Sequence, residues 1–220
     1  MATHTPTEAP EEGTLAELLY RLGDVPLERI RMRPAPGTAR EQDVLRARDS
    51  VEKRLCELVE GVLVEKAMGT RESLLAGLIL YTFWDFLKKN NLGKAFGADG
   101  MMRLMPGQIR IPDVSFVSWE RLRGKDLRAK RIAALVPDLA VEVLSEGNTK
   151  GEMQRKLRDY FLTGVRLVWF VHPKSETADV YSAPDQKKRV GKKGTLDGED
   201  VLPGFRLSLV ELFGEADSEE

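Results

Sequence analysis

Leu139-Ala-Val-Glu-Val-Leu144 is a compact apolar run interrupted by one carboxylate. A run of this length and texture suits a strand covered on both faces, as parallel strands usually are. Thr149, with Glu152 three residues on, has the form of a capping box, and it opens a predicted helix over Lys150 to Leu162. Met153, Leu157, Tyr160 and Phe161 form the apolar stripe of that helix. Gly164 stands where a helix ends on a left-handed residue, and Val165 to Val171 is a second apolar run. Strand, helix, strand in this order predicts two parallel strands joined by a right-handed crossover.

Upstream of this unit, short β segments are expected at Lys94–Phe96, Met101–Met105 and Val114–Ser118. Before them, Arg71 to Lys89 is the longest helical pattern, apolar around most of its surface, so it should pack on a sheet. Leu55 to Lys66 reads as a hairpin turning at Glu60-Gly61. Leu15, Leu18, Leu19 and Leu22 give a short amphipathic helix. After the proline-broken Arg33–Thr38, a Thr38/Glu41 capping box opens another helix over Glu41–Ala47. Downstream, strands are expected near Thr177–Tyr181 and Lys187–Val190, and a short helix over Leu209–Phe213. The polar ends read as disordered tails. The expected organisation is a tail over residues 1–13, a helical extension over 14–50, one domain over 51–214 and a tail over 215–220.

Composition sets bounds on function. The chain has 220 residues, 42% hydrophobic and 31% charged, with a formal net charge of -1. That is globular, with enough apolar residues for a core. The strongly basic balance of many nucleic-acid binders is absent, so any such contact must come from local patches. The basic stretches Arg121–Arg131 and Lys187–Lys193 could each track a phosphate backbone or form a solvated loop. Cys56 is the single cysteine, and the two histidines, His4 and His172, are far apart, so no zinc cluster is expected. No run reaches membrane-span length and the N-terminus lacks the order of a signal peptide, so a cytoplasmic location is expected.

Three residues carry the chemistry. Glu142 is a carboxylate in an apolar strand, where a charge must be paired or bound to a metal unless it sits at a solvent edge. Asp113 follows Pro112 at the start of Asp113-Val-Ser-Phe-Val117; it faces away from Val114 and Phe116, though an Asp there is also ordinary turn chemistry. Lys156 lies at the edge of the Met153–Tyr160 stripe and can reach the sheet, or snorkel over apolar surface. Two carboxylates on neighbouring strands can share a hard cation such as magnesium, which takes one or two carboxylates and keeps waters. A nearby lysine can position the attacking water or neutralise charge building on a phosphate.

Arg110-Ile-Pro-Asp-Val-Ser-Phe-Val117, Pro137-Asp-Leu-Ala-Val-Glu-Val-Leu-Ser145, Lys156 with Tyr160, and Gly164-Val-Arg-Leu-Val-Trp169 together resemble the Uma-two family of restriction-endonuclease-like proteins. Cys56-Glu-Leu-Val-Glu-Gly61 and Leu202-Pro-Gly-Phe205 are similar to that family's early hairpin and closing segment. The resemblance implies the PD-(D/E)XK nuclease fold, an α/β (α+β) architecture. Its restriction-endonuclease-like core has a central mixed sheet flanked by helices, in the order α-β-β-β-α-β, here behind an N-terminal helical extension. It implies Asp113 as the motif Asp and Glu142 as the motif acid, both metal ligands. The motif lysine, ordinarily two residues after the acid where this chain has Leu144, has moved to Lys156. Glu72, at the start of the long helix, is the candidate additional acid, where relatives carry a histidine. His172-Pro173 replaces a more usual Asp-Pro and reads as structural.

The expectation is a magnesium-dependent endonuclease acting on DNA, with manganese as the substitute ion and a homodimer as the candidate assembly. The alternatives are a non-cleaving nucleic-acid-binding or regulatory module on the same fold, and a metal hydrolase for another phosphate ester.

Overall fold

The computed structural model describes residues 13–67, 69–128 and 131–218. Its centre is the predicted crossover: β7 (Leu139–Val143), α5 (Lys150–Leu162) and β8 (Leu167–His172). β7 and β8 run parallel, with Leu139 opposite Leu167 and Val143 opposite Val171. Gly164 closes the helix with φ +95, the left-handed conformation expected there.

Around this pair stand β3 (Gly93–Phe96), β6 (Val114–Ser118), β9 (Thr177–Ala183) and β10 (Gln186–Val190). The six-stranded sheet has the order β10-β9-β8-β7-β6-β3, and every other pairing in it is antiparallel. It is the expected mixed sheet. Alternation along each strand feeds two layers. α3 (Thr70–Lys89) sends Leu75, Ile79 and Phe83 against Val114, Phe116, Val141, Trp169 and Val171 on one face. α5 sends Met153, Leu157 and Tyr160 against Ala140, Val168 and Phe170 on the other. Trp169 and Phe170 are core residues, as their apolar strand predicts.

A second, four-stranded sheet has the order β2-β1-β5-β4. β1 (Cys56–Val59) and β2 (Val62–Glu65) form the predicted hairpin. Its Glu60-Gly61 turn has φ +48 and +71, the doubly left-handed geometry that suits the twist of a hairpin. A Cβ on Gly61 would lie 2.4 Å from the Gly37 carbonyl oxygen, so the proline-broken segment crosses directly over the turn. β4 (Met102–Met105) pairs with β5 (Gln108–Arg110), a strand not expected from the sequence. Ile111-Pro112 then carries the chain from β5 in the small sheet to β6 in the large one. The one-turn helix α4 (Trp119–Leu122) and the hairpin of β11 (Thr195–Asp197) and β12 (Arg206–Ser208) are also additions to the sequence reading.

The N-terminal region is part of the domain body. α1 (Leu15–Leu22) ends at Gly23, which abuts the first turn of α5: a Cβ on Gly151 would sit 2.7 Å from the Gly23 carbonyl oxygen. Leu22, Val25 and Ile30 pack with Val59, Val62 and Val64, and Ile30 bridges Val64. α2 (Glu41–Asp49) covers the other face of β1, with Val44 against Cys56 and Leu58.

Three expectations are corrected. The Thr38/Glu41 capping box does not form: Thr38 Oγ1 donates to the Ala35 carbonyl, and the cap of α2 is the Arg40 N–H on Asp43. Only half of the Thr149/Glu152 box forms, because Thr149 Oγ1 accepts from Glu152 N while the Glu152 carboxylate turns to Arg29. A buried carboxylate gains more from a guanidinium than from one amide. α6 (Leu209–Asp217) runs through residues 215–217, assigned to the C-terminal tail from composition; residues 1–12 lie outside the described residues.

Candidate active site

Glu142 is the fourth residue of β7. The alternation that sends Val141 and Val143 toward α3 sends Ala140 and Glu142 toward α5. Its carboxylate, in a residue only 3% exposed, must be paired. Lys156 Nζ donates to Oε2 at 3.1 Å, and Tyr160 Oη donates to Oε1 at 2.5 Å. Lys156 and Tyr160 are four residues apart on α5 and therefore share a face. Lys156 is fully enclosed, so it does not snorkel to solvent: its reach is into the sheet.

Lys156 has a second acidic partner, Glu57 Oε1 at 3.3 Å, and this one comes from β1. Glu57 Oε2 accepts from Arg110 at 2.7 Å, and Oε1 accepts from the Ile111 N–H at 3.0 Å. Arg110 also donates to Asp159 on α5. The start of the β5–β6 crossing is thus tied to β1 through one arginine and one amide, and to α5 through Asp159. The quoted hairpin Cys56–Gly61 gave no reason to single out Glu57. A carboxylate in a short strand reads as its solvent face, and only the approach of Lys156 from α5 and Arg110 from β5 encloses this one.

Asp113 immediately precedes β6, beside the end of β7. Its Oδ2 accepts from the Val143 N–H at 2.7 Å, and its Oδ1 pairs with Lys66 Nζ at 2.8 Å. Since Val114 stands opposite Val141, the Asp113 side chain adds a rung just past the backbone ladder, next to Glu142. Lys66 follows β2 directly, is buried, and also donates to the Ile111 carbonyl at 2.7 Å. From the N-terminal region, Arg29 grips both oxygens of Glu152 on α5, at 2.8 and 2.7 Å. Arg155 donates to the Arg21 carbonyl and to Glu60 and ties α5 to α1 and the hairpin. Sequence alone assigned no chemistry to the region of Arg29, because its partner is 123 positions away.

The enclosed charges displace one another's titration. Burial pushes the Glu142 carboxyl up; Lys156 pulls it down, but Asp113 and Glu57 add to the upward side and the balance is raised. Burial also pushes Glu57 up, yet Lys156, Arg110 and the Ile111 amide outweigh it and hold the carboxyl at about 2. Lys156 is raised, since Glu142, Glu57 and Glu152 overcome its desolvation. Burial, then Glu142 and Glu57, push the Tyr160 phenol well above its ordinary value. At neutral pH Lys156 and Tyr160 are therefore proton-carrying donors, and Glu142 is the acid most ready to take up a proton.

Asp113, Glu142 and Lys156 thus converge, and Glu57, Lys66 and Arg110 join them. Glu72 does not: it lies half-buried in the first turn of α3, with its carboxylate over Gly69. It lines a cleft of about 510 Å³ with Leu144, Ser145, Asn148 and His172, just past the end of β7. Among the described residues, no hydrogen bond or ion pair joins it to the three. His172 pairs with Asp179 at 3.1 Å, a structural role. Of the basic stretches, Arg121 is spent on Asp138 and the Gly164 carbonyl and Arg131 on Asp49, whereas Lys187 and Lys188 stand exposed on β10.

Among the described residues, no group of three or more His, Cys, Asp or Glu side chains could hold a metal ion. Asp113 and Glu142 are a pair of oxygen donors, and each oxygen, though engaged by one protein donor, keeps acceptor capacity. That set has the chemistry of a hard, largely hydrated cation. No helix among the described residues is long and apolar enough to cross a membrane.

Comparison with known proteins agrees with the fold and with the resemblance. A crystal structure described as that of "a putative nuclease belonging to DUF820" from Anabaena variabilis ATCC 29413 is similar to this one. It has a TM-score of 0.66 at 18% identity, over 74% of this chain and 92% of that one. Among curated proteins, none matches the chain. The sequence profile of the family Uma2, described as "Putative restriction endonuclease", matches residues 42–210, which span both sheets and all six charged members of the cluster. The chain therefore belongs to the Uma-two (Uma2) family.

Proposed function

We propose that this protein is a magnesium-dependent endonuclease that hydrolyses DNA phosphodiester bonds. The observation that supports it most is that Asp113, bound to the amide of Val143, stands beside the strand position of Glu142, whose carboxylate holds the Lys156 ammonium. Asp113 and Glu142 would hold the cation, which when bound supplies Lewis-acid activation of water and of the phosphate. Lys156, kept protonated by its carboxylate neighbours, orients the attacking water and neutralises charge developing on the phosphate. Exposed Lys187 and Lys188 on β10 offer a path for the phosphate backbone.

The test is cleavage of plasmid and oligonucleotide DNA by the full chain with magnesium or manganese, with EDTA, and by Asp113→Ala and Glu142→Ala. Loss of cleavage with EDTA and in both variants, with folding checked by circular dichroism, is the expected result. Robust cleavage by both folded variants would overturn the reading. One observation favours a second reading: every oxygen of Asp113 and Glu142 already meets a donor of the protein itself. A self-satisfied network suits a DNA-binding module that does not cleave. Binding without single turnover in any divalent ion would select that reading.

A further inference from the structure

Lys66 is a member of the cluster that the hydrolysis above does not use. It leaves β2 and turns inward, with its side chain 3% exposed. Its ammonium meets Asp113 Oδ1 at 2.8 Å and the Ile111 carbonyl at 2.7 Å, with the Ala98 carbonyl at 3.5 Å in its third direction. The ion pair is thus held from the backbone and does not depend on a flexible tip.

The surrounding charges make this position matter. Three carboxylates, Glu57, Asp113 and Glu142, meet three cations, Lys66, Arg110 and Lys156. These six charges are formally neutral before any divalent ion enters, and Asp159, the other acid on Arg110, is also met by Arg155, whereas the affinity of hard-cation sites is tuned by their ligand charge. Lys66 also acts electrostatically on both Glu142 and Glu57. We propose that Lys66 is a resident cation that competes with the divalent ion for Asp113, so that the site binds one ion and binds it weakly. The proposal rests on the metal reading of Asp113 and Glu142. Metal entry then carries the repulsion of an ammonium already seated on the same carboxylate, and metal concentration sets how much of the protein is loaded.

The experiment measures ion binding, with no substrate present. Calcium and manganese are titrated into the full chain by calorimetry, and their thermal stabilisation is recorded. Wild type is compared with Lys66→Met, which keeps the length of the side chain, and with Lys66→Gln, which keeps a donor for the Ile111 carbonyl should the methionine variant fail to fold. Both variants are expected to bind at least about tenfold tighter. A unit charge a few ångströms away at an effective dielectric of about 20 is worth more than that factor. The gain should vanish when Asp113→Asn is added. Affinity in the lysine variants equal to or below wild type overturns the role of Lys66 and leaves the metal reading standing. No binding by wild type or either variant overturns both.

Discussion

Glu57 and Glu142 are both enclosed acids within reach of one ammonium, yet their neighbours push them in opposite directions. Glu57 is held at about 2, below its ordinary 4.5. Its contribution to stability is therefore fully present above pH 4.5 and is lost as the pH falls toward 2. Glu142 is raised, so its ionisation works the other way, costing stability as pH rises through and above the ordinary carboxylate range. Urea denaturation from pH 5 to 2 should show a loss of which Glu57 supplies on the order of 3 kcal/mol. Glu57→Gln should flatten that window. It should also cost about 3–5 kcal/mol at neutral pH, since Arg110 and Lys156 lose a buried partner. A variant with the wild-type slope would show that Glu57 is not the titrating group. At this scale the sequence was half legible. Glu142 announced itself because a charge in an apolar strand needs a partner. Glu57 did not, because nothing local marks β1 as covered on both faces.

Among elements, the contact of α1 with α5 carries the sharpest expectation. Glycine to alanine inside a helix ordinarily stabilises it by about 1 kcal/mol. At Gly151 the added Cβ would lie 2.7 Å from the Gly23 carbonyl oxygen and 2.9 Å from its carbon, both backbone atoms. The sign should therefore reverse: Gly151→Ala should destabilise by about 1–3 kcal/mol, the usual range for overpacking, read as a fall in Tm. A raised Tm would mean that α1 does not sit where it is placed here. The elements with enough residues to show a period were readable. β7, α5, β6 and α3 lie within a residue or so of their expected limits. Three-residue β5, β11 and β12 were not, because a period of two cannot be seen in three residues. The misread caps differ in cause. At Thr38 a neighbouring local pair, Arg40 with Asp43, made the cap, whereas at Glu152 a distant guanidinium outcompeted the local amide.

For the molecule as a whole, the N-terminal segment is the element to remove. A chain beginning at residue 41 would expose Val59, Val62 and Val64, which Leu22, Val25 and Ile30 now cover, and would take from Glu152 both Arg29 and the segment that helps to bury it. Each fully uncovered valine forgoes roughly 1.5–3 kcal/mol of burial, together a large fraction of the stability of a domain. That truncation should give an aggregating or much less stable protein by size exclusion and thermal melting, and should lose any cleavage the full chain has. A stable, active truncation would make the segment an appendage. By itself the sequence determined the crossover of β7, α5 and β8 and marked Glu142 as a charge in need of a partner, because periodicity and the cost of burying a charge are local properties. The mixed sheet, the family and the pairing of Asp113 with Glu142 came from the resemblance that its motifs carry. Only the tertiary structure decided which charges those acids meet. Arg110 reaches Glu57 across 53 positions and Arg29 reaches Glu152 across 123. A hydrophobic period tells which face of an element is buried, but it carries no information on what lies opposite, so the six-charge cluster became visible only when the two sheets were brought together.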